Sequence, residues 1–390
     1  LLDTNRHWLD ESSWKELQMD RIIRVGIIGQ GRSGRDIHGG CLRGDPRYRI
    51  VAVCDAIKDR RDRAIREFGC ESHKSHHELL KRDDLDLIVN ASFSHQHVPI
   101  TLDALRAGHN VLCEKPLASR VRDVDHLIAT AKKARKLLAV FQQSRYAPYF
   151  QQVKSVIDSG ALGRIVQISI AFNGFARRWD WQTLTEWNGG SLLNTGPHPL
   201  DQALVLFGAG MPKITCFMDR TRGSLGDAEN HVKLLLSGKD RPLIDLEISS
   251  CCAYPSFTYH VYGELGGLKA TNSEAQWRFF KWNESPRQKL TRKPLSKPDG
   301  TPSYPQETLT WHTGAWPDAQ PAAPASAGYS SASAATLELT RRYYDMLYRS
   351  LTEGRPLEIT VEQVRRQVAV IEECHRQNPH IHGQRSKRTR

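Results

Sequence analysis

From its start the chain alternates short apolar runs with stretches whose apolar positions recur every three to four residues. Residues 24–28, 49–54, 86–91, 111–113 and 138–141 are short and almost uniformly apolar, and read as strands buried on both faces. Between them, 58–68 and 97–107 read as helices closed by Gly69 and Gly108. Val121, Val124, Leu127, Ile128, Ala131 and Ala134 then fall at helical spacing, with Ser119 as the expected cap. This alternation predicts a doubly wound parallel sheet.

The pattern changes after residue 143. A helix is expected over 149–159, closed by Gly160, and a strand over 164–172. Strands follow at 213–219, 231–236, 243–249, 257–262, 268–271 and 277–282 with no helix between them, which predicts a second, α+β domain with an open, mainly antiparallel sheet. Residues 283–335 are rich in Pro, Ser, Ala and Gly and carry little periodicity, so a long loop is expected, an arm over a site or across a subunit boundary. Helices over 337–351 and 361–377 close the chain. The domains are therefore read as an extension (1–21), a first, doubly wound domain (22–143), a second domain (144–377) and a basic tail (378–390), expected to be disordered.

Composition narrows the classes. Of the 390 residues, 39% are hydrophobic and 25% charged, and no apolar run reaches the roughly 18 residues of a membrane span. The polar stretch 1–18, with Trp8 and Trp14, lacks the apolar core of a signal peptide, and Met19 is a candidate natural start. Eight cysteines form no C-x-x-C pair, and Cys54 and Cys113 lie inside strand runs, which suits reduced core thiols, a cytoplasmic location and no structural zinc. The net charge of +12 raises the question of nucleic acid. Much of it, however, sits in the tail (Arg385, Lys387, Arg388, Arg390) and in 281–297, as solvated charge, so no nucleic-acid or membrane partner is expected.

The chemistry begins at Gly29-Gln30-Gly31-Arg32-Ser33-Gly34, which follows a strand and opens a helix. There Gly29 permits a tight turn, Gly31 lets backbone approach a pyrophosphate, and Gly34 lets helix pack on strand. The phosphates then meet a helix N-terminus. Asp55 ends the next strand, 21 positions past Gly34, and either takes ribose hydroxyls, favouring NAD, or caps a helix; Arg60 and Arg61 keep NADP open. Ser92 and His97 follow the strand ending at 91, on the ligand edge of the sheet. There His97 either shapes the nicotinamide side or caps its own helix. Glu114-Lys115-Pro116 leaves the next strand at that edge, with Pro116 fixing φ. Arg145 either approaches cofactor or substrate or makes an interdomain salt bridge. Trp179, Asp180 and Trp181, with Trp187, either face a sugar ring or pack a domain junction. In a helix opened by Ser191, Asn194, His198 and Asp201 fall at i, i+4 and i+7 on one face, made irregular by Pro197 and Pro199.

Taken in order, the glycine loop, Ala104-Leu105 through Gly108, Glu114-Lys115-Pro116 and Gly189-Gly190-Ser191-Leu192-Leu193-Asn194-Thr195-Gly196-Pro197-His198-Pro199-Leu200-Asp201 resemble the glucose–fructose oxidoreductase / inositol dehydrogenase (Gfo/Idh/MocA) family over about residues 22–377. The resemblance implies a two-domain, nicotinamide-dependent oxidoreductase acting on sugars, inositols or polyols, a homodimer or homotetramer through the second domain's sheet. It makes Lys115 the active-site lysine, ahead of a cis Lys115–Pro116 bond, and His198 the proton-transferring histidine. Asn194 stands where many members carry aspartate, a departure that removes a proton carrier. NAD, or NADP, is expected on Gly29, Gln30, Gly31, Arg32, Ser33, Gly34, Asp55, Ser92, His97, Glu114 and Lys115. Substrate is expected near Arg145, Trp179, Asp180, Trp181 and Asp201. Two rival readings are an NAD-assisted sugar hydrolase or epimerase without net redox change, and a non-catalytic nucleotide-binding sensor.

Overall fold

The computed structural model of the chain describes residues 21–317 and 334–382. The extension before residue 21, residues 318–333 and the tail from 383 lie outside it. The described chain divides into two compact units, with boundaries at Gln143/Ser144 and again at Val368/Ala369.

The first unit holds six strands, β1 (Ile23–Ile28), β2 (Tyr48–Cys54), β3 (Glu71–His73), β4 (Leu87–Asn90), β5 (Asn110–Cys113) and β6 (Leu138–Val140). All pair in parallel in the order β3-β2-β1-β4-β5-β6. The order reverses between β1 and β4, and in such sheets a ligand lies outside the strand ends at that point. Strand β3 was not legible, because its three residues are polar and none is buried. Around the sheet lie α1, π-helical over Ser33–Gly39 and α-helical over Gly40–Leu42, then α2 (Lys58–Phe68), α3 (His76–Leu79), α4 (His97–Arg106) and α5 (Val121–Ala134). Ser119 is not the cap of α5; Arg120 takes that position, with no side-chain hydrogen bond.

The second unit contributes α6 (Pro148–Asp158), β7 (Ile165–Asn173), α7 (Ser191–Asn194), α8 (Pro197–Phe207) and strands β8 (Lys213–Asp219), β9 (His231–Ser237), β10 (Leu243–Ser249), β11 (Tyr259–Gly263), β12 (Gly266–Ala270), β13 (Ala275–Phe279) and β14 (His312–Trp316). The sheet order is β14-β13-β12-β11-β7-β10-β9-β8. Every pairing is antiparallel except β7 with β10, which is parallel. Strand β9 shows how the sheet is built: Val232, Leu234 and Leu236 are buried, while Lys233 on the other face bridges Asp245 at 2.7 Å and Glu247 at 3.2 Å on β10. Helices α7 and α8 pack on β10, and α6 on β12 and β13.

Three expectations are corrected. The stretch 283–335 is not all loop, since β14 within it pairs with β13. Its sequence hides the strand because Gly314 and Ala315 break the β-branched pattern, and Gly314 is instead covered by the Trp277 ring. The closing helix α9 (Ala334–Thr352) belongs with the first unit, where Tyr343 Oη donates to Val140 O at 2.7 Å and Tyr48 Oη to Tyr344 O at 2.8 Å. Helix α10 (Val361–Gln377) gives its first turns to the first unit and the rest to the second. The tail is folded as far as 382: Asn378 is buried, and α11 (Pro379–His382) follows it.

Candidate active site

In the first unit the site is built on the glycine turn. Gly29 adopts φ +93°, and a Cβ there would stand 2.4 Å from Ala91 O. A Cβ on Gly34 would stand 1.8 Å from Gly29 O. Both positions therefore admit only glycine. Gly31 differs: its Cβ would meet nothing nearer than Arg60 Nη1 at 3.9 Å, so the space above it is open to a ligand. The buried Gln30 Oε1 beside it has no hydrogen-bond partner among the described residues. A group bearing phosphates and hydroxyls fits this cradle.

Asp55 is buried, and both its oxygens face backbone. Oδ2 accepts from Gln30 N at 2.8 Å and Oδ1 from Ile57 N at 2.9 Å. It therefore braces the glycine turn from behind without capping α2, whose N-cap is Ile57. Arginines crowd it: Arg60 Nη1 lies 3.5 Å from Oδ2, Arg61 donates to Asp55 O at 2.8 Å, and Arg63 to Gln30 O at 2.9 Å. Arg32 is exposed and Ser33 half-buried at the start of α1.

The loop after β4 is organised by Asn90, which sequence reasoning passed over as one more strand residue. Its buried amide donates to His97 O at 3.1 Å and Thr101 Oγ1 at 3.0 Å, and its Oδ1 accepts from Ser92 Oγ at 2.7 Å. His97 opens α4 but does not cap it. Its ring is buried between two carbonyls, Nδ1 at 2.7 Å from Pro116 O and Nε2 at 3.1 Å from Ser92 O. Burial lowers its pKa against the pull of those carbonyls and of Glu114, so the neutral ring donates through one nitrogen, and the Pro116 contact is the shorter. His97 thus joins two loops at the ligand edge.

Glu114 follows β5, with its N–H on Asn90 O at 2.9 Å, and accepts from Lys115 N at 3.1 Å. The Lys115–Pro116 bond is cis, and Lys115 is half-buried. Behind Glu114, His38 Nε2 lies 3.3 Å from Oε1, and His38 Nδ1 lies 2.8 Å from Tyr344 Oη. His38 and Tyr344 are fully buried. Burial pushes the Glu114 carboxyl up, but the neighbouring His38, then Lys115 and His97, outweigh it and hold the pKa at about 2. The carboxylate is therefore a fixed negative charge under the lysine's backbone. His38 and Tyr344 carried no signal, because their partners are brought together only by the fold.

In the second unit, the helix expected from Ser191 is broken in two. Asn194 ends α7, and His198 and Asp201 lie on α8, after a corner at Gly196 whose Cβ would stand 2.2 Å from Leu192 O. The i, i+4, i+7 face is therefore not one helical stripe, since Pro197 starts a new helix. His198 is half-buried, and its Nδ1 lies 3.1 Å from Ser144 Oγ. One turn on, Gln202 donates to Ser144 O at 2.7 Å and accepts from the buried Tyr259 Oη at 2.6 Å. Arg145 and Asp201 meet each other: Nε donates to Oδ2 at 2.9 Å and Nη2 to Oδ1 at 2.5 Å, with Asp201 buried. This pair lies inside one unit and is not the interdomain bridge weighed for Arg145. It fixes the 143–146 turn against α8, which holds Ser144 under the histidine. Ser144 and Gln202 are the partners of this histidine's corner that sequence reasoning missed.

Trp179 is 75% exposed, and Asp180 is exposed and paired with Arg178 at 2.5 Å. Trp181 and Trp187 are half-buried, with ring centroids 6.2 Å apart. Of the indoles, Trp179 offers the most surface to a partner or ligand. Among the described residues, His76, His77 and Asp103 have ligand atoms within 4.8 Å of one another, and His76 Nε2 is held by Asp103 at 3.2 Å. None of the three belongs to this site. No described helix is long and apolar enough to cross a membrane.

Comparison with known proteins adds independent findings. Residues 23–142 match the oxidoreductase family with an NAD-binding Rossmann fold, and 150–269 match the GFO/IDH/MocA C-terminal domain. Myo-inositol 2-dehydrogenase of Thermotoga maritima is 27% identical over 55% of this chain and 64% of its own. Inositol 2-dehydrogenase 2 of Saccharopolyspora erythraea is 30% identical over 63% of this chain and 71% of its own. Across such relatives the chain spans 44% to 71% of their lengths. Among solved structures, the WlbA dehydrogenase from Bordetella pertussis, in complex with NADH and UDP-GlcNAcA, superposes with TM-score 0.70 at 20% identity over 93% of this chain and 96% of its own. An NAD-binding protein from Listeria innocua superposes with TM-score 0.73 at 19% identity over 92% and 97%.

Proposed function

Because the chain belongs to the Gfo/Idh/MocA oxidoreductases and carries their NAD-binding Rossmann domain, we propose that it transfers a hydride between the nicotinamide and a secondary alcohol or ketone of a sugar, inositol or related polyol. The observation that carries this reading is His198, a histidine held at Nδ1 by Ser144 on a helix that Gln202 and the Arg145–Asp201 pair lock in place. A ring fixed in this way is positioned for proton transfer, and an imidazole titrates near neutral pH.

His198 takes the hydroxyl proton through Nε2, and Lys115 stabilises the alkoxide that develops as the proton leaves. Asn194 orients the substrate through its amide, since it cannot carry a proton. Bound NAD would supply the hydride acceptor, or the donor in the reverse direction. The residues that would hold the cofactor are the open turn at Gly31, the buried side-chain carbonyl of Gln30 and Asp55, with Ser92 on the second loop, which His97 shapes from beneath. Asp55 supports NAD, and Arg60 leaves a place for the extra phosphate of NADP. Relatives named as inositol dehydrogenases support a cyclitol or sugar substrate. Eight unpaired cysteines, six of them buried, support a reducing, cytoplasmic compartment. Exposed Val166, Phe217 and Tyr262 on the second sheet support a homodimer or homotetramer through its strands.

The test follows the absorbance of reduced cofactor with NAD and NADP against inositols, aldoses and keto-sugars. Turnover on a polyol is expected, and Lys115→Ala and His198→Ala should each lower it by about a hundredfold or more while cofactor still binds. Cofactor binding without turnover on any substrate would favour the sensor, and product without net reduced cofactor would favour the hydrolase or epimerase.

A further inference from the structure

Glu229 is a buried carboxylate that the proposed chemistry does not use; its side chain is 0% exposed. A carboxylate so placed is tolerated only with hydrogen-bond partners for its oxygens. Its Oε1 accepts from Leu192 N at 2.9 Å, and its backbone carbonyl accepts from Ser191 N at 3.0 Å. Gly190 crosses directly over it, at φ +104°, and a Cβ there would stand 2.5 Å from both carboxylate oxygens. The first turn of α7 is thus wrapped on this one side chain. From there the backbone leaves little slack. Asn194 N donates to Gly190 O at 2.8 Å, Gly196 N to Ser191 O at 2.8 Å and His198 N to Thr195 O at 3.2 Å. A shift of Leu192 is carried along that ladder to Asn194 and His198.

The other oxygen is taken from far along the chain. His382 Nε2 lies 2.9 Å from Glu229 Oε2, and its ring stacks on His375 at 3.8 Å with a 20° tilt. The turn that delivers His382 is fastened by Asn378, whose amide donates to Cys216 O at 3.1 Å and Cys374 O at 2.9 Å and whose Oδ1 accepts from Met218 N at 3.0 Å. The last described turn of the chain is therefore tied to β8 and α10 and ends on the carboxylate under α7. Packing alone would need only an apolar residue at 382.

We infer that Glu229 and His382 form a clamp in which the C-terminal turn sets the position of α7, and through it of Asn194 and His198. Both are positioning residues and neither touches substrate. The inference rests on the proposed function only for its kinetic readout.

The test compares His382→Phe, which keeps a ring against His375 but loses the donor, with His382→Gln, whose amide can still donate to Glu229. Hydrogen exchange is measured on peptides spanning 190–198, alongside steady-state kinetics on whichever polyol is turned over. In His382→Phe, the Ser191 and Leu192 amides should exchange about tenfold faster. Its kcat should fall about ten- to a hundredfold, with KM for NAD unchanged. His382→Gln should restore both. Wild-type exchange and kcat in His382→Phe would overturn the clamp, as would equal losses in the two variants. If His382→Phe does not fold, Glu229→Gln is read against His382→Gln by the same exchange measurement, and protection of 190–198 equal to wild type would overturn it. If no polyol is turned over by the wild type, the functional reading fails, while exchange at 190–198 still decides the clamp.

Discussion

In the proposed reaction Asn194 leaves the proton chemistry to His198 and Lys115, since an amide carries no proton. A carboxylate beside a histidine or lysine favours the protonated form and raises its pKa. A general base must lose its proton before it acts, so Asn194→Asp should move the acidic limb of the kcat/KM profile toward alkaline pH. An unchanged profile would remove Asn194 from the site. Glu114 gives a second prediction with the opposite sense. Its pKa in the fold is about 2 against an ordinary 4.5. A depressed carboxyl pKa stabilises the fold above the unfolded value and loses that contribution as pH falls from about 4.5 to 2, on the order of 3 kcal/mol. Glu114→Gln should therefore flatten the acid-unfolding curve across that window. A curve as steep as wild type would mean that His38 does not hold the carboxylate. Glu114, Lys115 and His198 were legible in the chain because each sits at a strand end or in a motif. His38 and Tyr344 were not, being 306 positions apart in sequence yet 2.8 Å apart in space.

Among the elements, the break between α7 and α8 matters most. Pro197 pointed to it, but the corner itself is set by Gly196, where a Cβ would collide with Leu192 O. Gly196→Ala should lower turnover at least tenfold by displacing His198, while the dissociation constant for NAD, measured by fluorescence, stays within about twofold of wild type. Loss of cofactor affinity would show that the corner does more than carry the histidine. At the far edge of the second sheet, Gly314 on β14 lies under the Trp277 ring of β13, with a would-be Cβ only 2.2 Å from it. Gly314→Val should therefore unseat the indole, seen as a red shift in tryptophan emission. Unchanged emission would contradict the packing. Strands with clean alternation, such as β9, were readable from their period. Strand β14 was not, because its place depends on a neighbour's side chain filling a glycine.

For the whole chain, α9 returns to the first unit and closes its core. Tyr344 is fully buried, with its ring against Tyr48 and Phe141 and its hydroxyl on His38. Tyr344→Ala should cost about 3–5 kcal/mol, measured as a lower urea midpoint, because a large aromatic leaves a cavity. Cofactor should also protect this variant less than wild type against thermal unfolding; full protection would separate Tyr344 from the nucleotide fold. Local order determined much of this protein: the strand–helix alternation, the glycine turn with its acid 21 positions on, and the strand-end lysine all follow from periodicity and short-range backbone demands. Only the tertiary structure decided that Asp55 braces the turn, that Arg145 and Asp201 bind each other, and that His382 reaches Glu229. Those outcomes depend on contacts between residues far apart in sequence, whose cost in chain entropy is met only when the whole unit closes.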